Sequence, residues 1–262
     1  MNRLAALGLV WCGLMVGGCG LLKPPPPKRA PAPAGPVVPS YTCMFTDAAP
    51  VIDGKLDDAA WRRAEPMELR LAETGGAPRQ PTTARALWDD KYLYVCFDCT
   101  DDNIWAGFTE HDSHLYEQEV VEVFLNENSD KHAYAELEVS PNNTTLDLYI
   151  IHPGSGGNFK KLFDYECEGW KTAVHVEGTV SEAPAQGERD DKRWTVEMAI
   201  PFDQMYLAPH RPPVPGDRMR WNLYRIDRPG LRAQDDEFCS WSQTGPGTFH
   251  KPDRFGWLVF SR

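Results

Sequence analysis

Carboxylates crowd one short stretch of the chain, His114-Leu-Tyr-Glu-Gln-Glu-Val-Val-Glu-Val-Phe-Leu-Asn126. Glu122 sits inside an apolar run, with Glu117 and Glu119 just before it. Glu136 and Glu138 stand in a second run of the same kind, Tyr134-Ala-Glu-Leu-Glu-Val-Ser140. Two carboxylates roughly 5–10 Å apart across a cleft, one with a raised pKa, are the equipment of a glycosidase. Any two of Glu119, Glu122, Glu136 and Glu138 are candidates for that chemistry. His111 and His114, with Glu117 and Glu119, have the look of a zinc set. No third well-spaced histidine or cysteine accompanies them, and a polar loop accounts for them better.

These residues need strands to place them. Val120–Leu125 has the β-branched and aromatic bias of a strand. Alternation sends Val121, Val123 and Leu125 to a core and Val120, Glu122 and Phe124 to the other face. Glu119 has the parity of the core face but, as a carboxylate, is not expected to share it unless the strand is irregular. In the second run Leu137 and Val139 point inward, so Glu136, Glu138 and Ser140 share the face of Glu122. Further strands are expected at 83–89, 92–99, 145–151, 172–180, 193–201, 219–227 and 255–260, separated by Gly-, Pro-, Asp- and Asn-rich turns. Helical signal is confined to 56–64, where an Asp precedes an apolar spacing, and to a single turn at 201–207. The pattern predicts an all-β antiparallel sandwich of jelly-roll or immunoglobulin-like type with one or two short helices. No internal repeat interrupts it, and residues 41–262 read as one domain.

The N-terminus has a different composition. One arginine, Arg3, precedes an apolar run from Leu4 to Val16, of signal-peptide length and short for a bilayer span. Val16-Gly17-Gly18-Cys19 resembles a bacterial lipobox, which makes 1–18 a lipoprotein signal and Cys19 the acylated residue. Gly20 follows it rather than an acidic residue, which favours the outer membrane by the usual sorting rule. Residues 19–40 then hold a proline-rich stretch, Lys23 to Pro39, that stays extended and spans on the order of 50 Å. The expected product is a domain tethered to a membrane through lipid, facing periplasm or exterior.

Length and an apolar content of 42% allow a substantial core. The net charge of −11, with no basic run, argues against nucleic acid as a partner. Of seven cysteines, Cys43, Cys96, Cys99, Cys167 and Cys239 remain in the domain, and an exported protein can form one or two bridges. Cys96 and Cys99 lie three apart in an expected strand, so their sulfurs face opposite sides and do not meet. Asp53, Asp57 and Asp58 are possible calcium ligands, though such runs are more often solvated turns. Trp61, Trp88, Trp194, Trp221, Trp241 and Trp257 read as core.

In order along the chain stand Val-Ile-Asp-Gly (51–54), Trp-Asp-Asp-Lys-Tyr-Leu-Tyr (88–94), Tyr-Glu-Gln-Glu-Val-Val-Glu-Val-Phe (116–124), Trp-Thr-Val-Glu-Met-Ala-Ile-Pro-Phe (194–202), Trp-Asn-Leu-Tyr-Arg-Ile-Asp (221–227) and Ser-Trp-Ser (240–242) before a closing Phe-Gly-Trp-Leu-Val-Phe (255–260). Together they resemble the family 9 carbohydrate-binding modules and their wider family 9-like group, over nearly all of 50–260. The resemblance implies a β-sandwich, usually with structural Ca²⁺, that holds a sugar between two aromatic rings and does not cleave it. It places Tyr116 and Phe249 as the two rings and Glu122 as an acceptor for sugar hydroxyls. Glu138 and Ser140 stand where well-known members carry an arginine and an asparagine, and Tyr224 stands where they carry a glutamine. The chemistry is apt, since a pyranose has C–H faces suited to rings and rim hydroxyls suited to carboxylates. The function expected is non-catalytic carbohydrate binding by a monomeric, membrane-anchored lipoprotein, serving the capture and catabolism of oligosaccharide or polysaccharide. A glycoside hydrolase using paired Glu residues is the alternative. A haem-carrying electron-transfer domain of related fold is another, which would use a Met/His pair; Met198 is the methionine in question.

Overall fold

The structure is a computed structural model, and it describes residues 37–151, 159–187, 189–230 and 232–262. The signal, Cys19 and all but the end of the proline-rich stretch lie outside the described residues. Among the described residues fourteen strands form one sheet. They are β1 (Ser40–Phe45), β2 (Met67–Glu68), β3 (Arg70–Leu71), β4 (Thr82–Trp88), β5 (Tyr92–Thr100), β6 (Val120–Asn126), β7 (Ala133–Val139), β8 (Thr145–Ile151), β9 (Lys160–Leu162), β10 (Lys171–Glu177), β11 (Arg193–Pro201), β12 (Arg218–Asp227), β13 (Glu237–Ser240) and β14 (Gly256–Ser261). The main path runs β10-β11-β5-β4-β1-β14-β12-β6-β7-β8-β9, with β13 beside β12, β3 beside β13 and β2 beside β4.

The sheet curls so that β4, β5 and β11 face β6, β7 and β12 across one apolar core. Alternation fills that core: Val95, Phe97, Trp194, Val196 and Met198 from one leaf, Val121, Val123, Leu125, Leu137, Trp221 and Leu223 from the other. The expected sandwich is therefore present, but it is not purely antiparallel. β1 pairs in parallel with both β14 and β4 and joins the two leaves. Its own alternation, with Tyr41, Cys43 and Phe45 inward, is short and follows directly on the proline-rich stretch in sequence, which hides it there.

Two expected helices are single 3₁₀ turns, Ala59–Arg63 and Phe202–Gln204. In the first, Trp61 packs outside the sheet against Leu87, Tyr94 and Cys96. Its indole Nε1 donates to Glu197 Oε1 at 2.7 Å, and Glu197 Oε2 accepts from the amides of Asp53 and Gly54. Gly54 has φ +83°, and a Cβ there would lie 2.5 Å from the Val174 carbonyl carbon, so the Asp-Gly turn has no substitute for glycine. Gly256 is fixed differently: a Cβ would strike the Trp241 ring at 2.3 Å. Trp257 departs from expectation. It faces outward and is half-buried beneath Arg218 and Arg220, whose guanidinium carbons lie 4.4 and 4.1 Å from its ring.

All five described cysteines are buried free thiols. Cys99 lies in the main core and Cys96 against Trp61, on opposite faces of β5 as alternation requires.

A buried ion network ties the leaves together. The Arg225 side chain of β12 is fully buried and donates to Asp101 (2.9 Å), Asp227 (3.2 Å), Thr82 Oγ1 (3.0 Å) and the Thr100 carbonyl (2.7 Å). Removing one member of such a set leaves uncompensated buried charge, which costs about 3–5 kcal/mol. Arg225→Leu is accordingly expected to lower unfolding free energy by an amount of that order in urea denaturation, far more than Arg70→Leu at an exposed pair.

Candidate functional site

The outer face of β6, β7 and β12 carries a cleft of about 330 Å³. Loop residues 247–250, the 3₁₀ turn Leu115–Glu117 and β9 close around it. Its base is apolar and tightly stacked. Phe124 lies 5.4 Å from Tyr134 and 4.8 Å from Tyr224, ring centre to ring centre, and packs on Phe255. Its walls include Tyr116 and Phe249, the two rings named from the sequence. Phe249 is held from behind: its ring stacks on Tyr224 at 4.2 Å and 16°, and the Tyr224 hydroxyl donates to the Phe249 carbonyl at 3.1 Å. Tyr116 stacks on His114 at 5.3 Å, and Lys161 Nζ sits 4.0 Å from its ring centre.

Pairing of β6 with β7 sets Glu122 directly opposite Glu138 and Phe124 opposite Glu136. The oxygens of Glu122, Glu136 and Glu138 gather within 4.8 Å of one another, and none of the three residues is more than 2% exposed. Glu122 and Glu136 line the cleft, while Glu138 stands behind them. Tyr224 and Ser140 do not line it. Tyr224 is fully buried as the support of Phe249, and Ser140 ends β7 in a turn, its hydroxyl donating to Asn142 Oδ1 at 2.6 Å and accepting from the Thr144 amide. The shared face of a strand holds for Glu136 and Glu138, but chain reversal takes Ser140 away. Sequence reasoning missed Lys161, Phe159, Phe238 and His250. Lys161 is on a three-residue edge strand, and Phe238 is the outward residue of a four-residue strand, both too short to show a period.

Burial raises the Glu122 and Glu138 carboxyls well above their ordinary range, and neighbouring carboxylates raise them further. Glu136 is raised by burial as well, offset by Lys161, and it is close enough to Glu138 to share a proton. Elsewhere burial pushes Glu127 up to about 7, against the Leu207 amide that its Oε2 accepts at 2.6 Å.

Glu119 is not in the cleft. Against expectation it shares the core side, fully buried beside Asp101 and Asp227, because the buried Arg225 guanidinium supplies a positive field there. Met198 is buried among apolar core residues, where it offers no axial position for haem. Asp53, Asp57 and Asp58 do not converge: Asp53 Oδ1 accepts from the Lys55 amide, Asp58 Oδ2 from the Val51 amide, and Asp57 is exposed. His111 has a different set of neighbours from those its sequence spacing suggested. Its Nε2 lies 3.3–3.5 Å from carboxylate oxygens of Asp112, Asp147 and Glu166, and its Nδ1 is 3.0 Å from the Thr145 carbonyl. A mixed nitrogen and oxygen set suits zinc better than calcium, a hard ion served by oxygen.

The sign of the pH dependence follows from the raised carboxyls. Unfolded Glu titrates near 4.3. Between there and the raised native values, about 7 for Glu127, the native state binds more protons. Stability therefore falls as pH rises from about 4.5 through 7. Glu138→Gln is expected to raise the melting temperature at pH 8 and to leave it nearly unchanged at pH 4.5, by about 2–4 °C for each kcal/mol relieved. Scanning calorimetry at both values checks this; a wild type that melts higher at pH 8 than at pH 5 contradicts it.

The chain is similar over 79% of its length to endo-1,4-beta-xylanase A of Thermotoga maritima, at 35% identity. It spans only 16% of that protein, and 7% of the corresponding xylanase of Thermoanaerobacterium saccharolyticum. In structure it is similar to a family 9 carbohydrate-binding module of Caldicellulosiruptor kristjanssonii in complex with glucose, with TM-score 0.55, 18% identity, and 85% of this chain and 96% of that one covered. A Bacteroides uniformis protein superposes with TM-score 0.63 at 18% identity, over 86% of this chain and all of that one. The model of one family, "Carbohydrate family 9 binding domain-like", matches residues 52–262, a binding domain rather than a catalytic one, and this chain belongs to that family.

Proposed function

We propose that the cleft binds a glycan without cleaving it, with Tyr116 and Phe249 as its walls and Glu122 as an acceptor on its floor. One observation carries the reading: two rings and a carboxylate, far apart in sequence, line a single cleft on the outer face of the sheet. The xylanase relatives and the glucose-bound module give the ligand class. Affinity comes chiefly from stacking, and Glu122 contributes orientation. Binding is expected in the micromolar to millimolar range, about 4–8 kcal/mol in total. Against so small a total, Tyr116→Ala or Phe249→Ala should abolish detectable binding, whereas Glu122→Gln, which keeps one acceptor, should weaken it less. Titration calorimetry with the best ligand from a glycan array tests this, with folding checked by circular dichroism. Both alanine variants binding as wild type would remove this cleft from the reading. Repeating the titration in EDTA tests calcium, which stays in the reading only if binding or melting temperature falls.

The same proposal places the protein on a membrane as a monomer. Its support is the lipobox-like Val-Gly-Gly-Cys19 and the proline-rich stretch after it. The several acyl chains of a bacterial lipoprotein cysteine anchor firmly where one chain does not. Cys19→Ala should move the protein from the outer-membrane fraction to the soluble one; retention after a salt wash would contradict the anchor.

A further inference from the structure

The cleft floor has more acceptors than a neutral sugar can use. Oε1 of Glu122, Oε2 of Glu136 and, behind them, both oxygens of Glu138 are buried and accept no hydrogen bond from a nitrogen or hydroxyl donor among the described residues. Burial and repulsion favour the protonated forms of these carboxyls, but a cation brought among them favours the ionised form, which only accepts. A sugar hydroxyl brings one donor together with lone pairs that would face more acceptors. An alkylammonium brings three donors, no lone pair and a positive charge. The basic groups nearest these carboxyls among the described residues are Lys161, whose Nζ is 4.0 Å from Glu136 Oε1, and His250, whose Nδ1 is 3.8 Å from Glu136 Oε2. Both stand beyond hydrogen-bond distance of that carboxylate. The Lys161 ammonium also lies 4.0 Å from the Tyr116 ring centre, so the space between ring and carboxylates already receives a cation of this kind.

A bare metal ion would also answer the charge, but it has no use for the aromatic walls. Those walls suit a ring with C–H faces, and Tyr116 attracts a cation over its own face as well. Resting on the glycan reading above, we propose that the preferred ligand is an amino sugar, a hexosamine residue with a free, protonated amine directed at Glu122 and Glu136. Glu138, behind them, takes no part in contact and strengthens the negative potential at the amine. This inverts the expectation drawn from family members with an arginine at the position of Glu138: here the site selects positive charge.

The test uses the full chain in detergent and three trisaccharides of the same linkage: glucosamine, its N-acetylated counterpart and cellotriose. Each is titrated in EDTA and again with excess calcium. A hydrogen bond to a charged group exceeds a neutral one by about 1–1.5 kcal/mol, which makes the expected preference for the free amine about tenfold over either neutral ligand. That preference should shrink in high salt. Glu138→Gln should reduce it severalfold while leaving cellotriose affinity in place, a split that simple loss of structure would not give. Cellotriose binding as tightly as the amine overturns the inference and leaves the glycan reading standing. Calcium that erases the amine preference while tightening cellotriose makes the cation a metal, and also overturns it. Failure of all three ligands to bind takes both readings down together.

Discussion

The guanidinium of Arg225 is the point on which the two leaves depend. It reaches from β12 to the start of β4 and the end of β5, and no part of its side chain meets solvent. Asp101 takes the strain of several demands at once, accepting from Arg225 and from the Trp194 indole at 3.1 Å. Glu119 and Asp227 complete a group of three buried carboxylates around one fixed cation. Such a set costs much desolvation and returns it only with good geometry, so it specifies how the leaves meet more than it stabilises them. Apolar packing alone would tolerate sliding of one leaf over the other. A guanidinium with fixed donor directions does not.

A second group of three carboxyls, Glu122, Glu136 and Glu138, lies on the opposite face of β6 and β7. Here, among the described residues, no buried arginine answers them. Burial and mutual repulsion favour their protonated forms, and Lys161 moderates this only at a distance. The contrast between the two groups is informative because both are built on β6, one just before it and one within it. The inner group is closed by the chain itself. The outer group opens on a cleft, and its unmet acceptors are the kind of feature that folded proteins keep where a ligand completes the set. Its cost to stability at neutral pH is the cost of holding that set ready.

The rings around the cleft depend on the same strands. Tyr224 neighbours Glu122 across β12 and β6, and it holds Phe249 by stacking and by its hydroxyl. Phe124 supports the floor from the position between Glu122 and the end of β6. One register shift in β6 would turn Val121 and Val123 outward and send Glu122 into the core, losing core and cleft together. Core packing therefore protects the geometry of the site.

The sequence by itself determined the period of the strands, and with it which residues of β6 and β7 face the core and which face outward. Val121, Val123, Glu122, Glu136 and Glu138 are placed by alternation alone, because a strand offers only two faces. The order of motifs determined the family, and Tyr116 and Phe249 were named through it. Tertiary structure decided what alternation cannot reach. The parallel pairing of β1, the removal of Ser140 by a turn and the withdrawal of Tyr224 beneath Phe249 all depend on where the chain goes after a strand ends. Lys161 and His111 acquired their carboxylate neighbours from segments distant in sequence, His111 from Asp147 and Glu166 in particular. Such meetings are set by how a curled sheet brings its edges and loops together, and no local pattern of residue types encodes them.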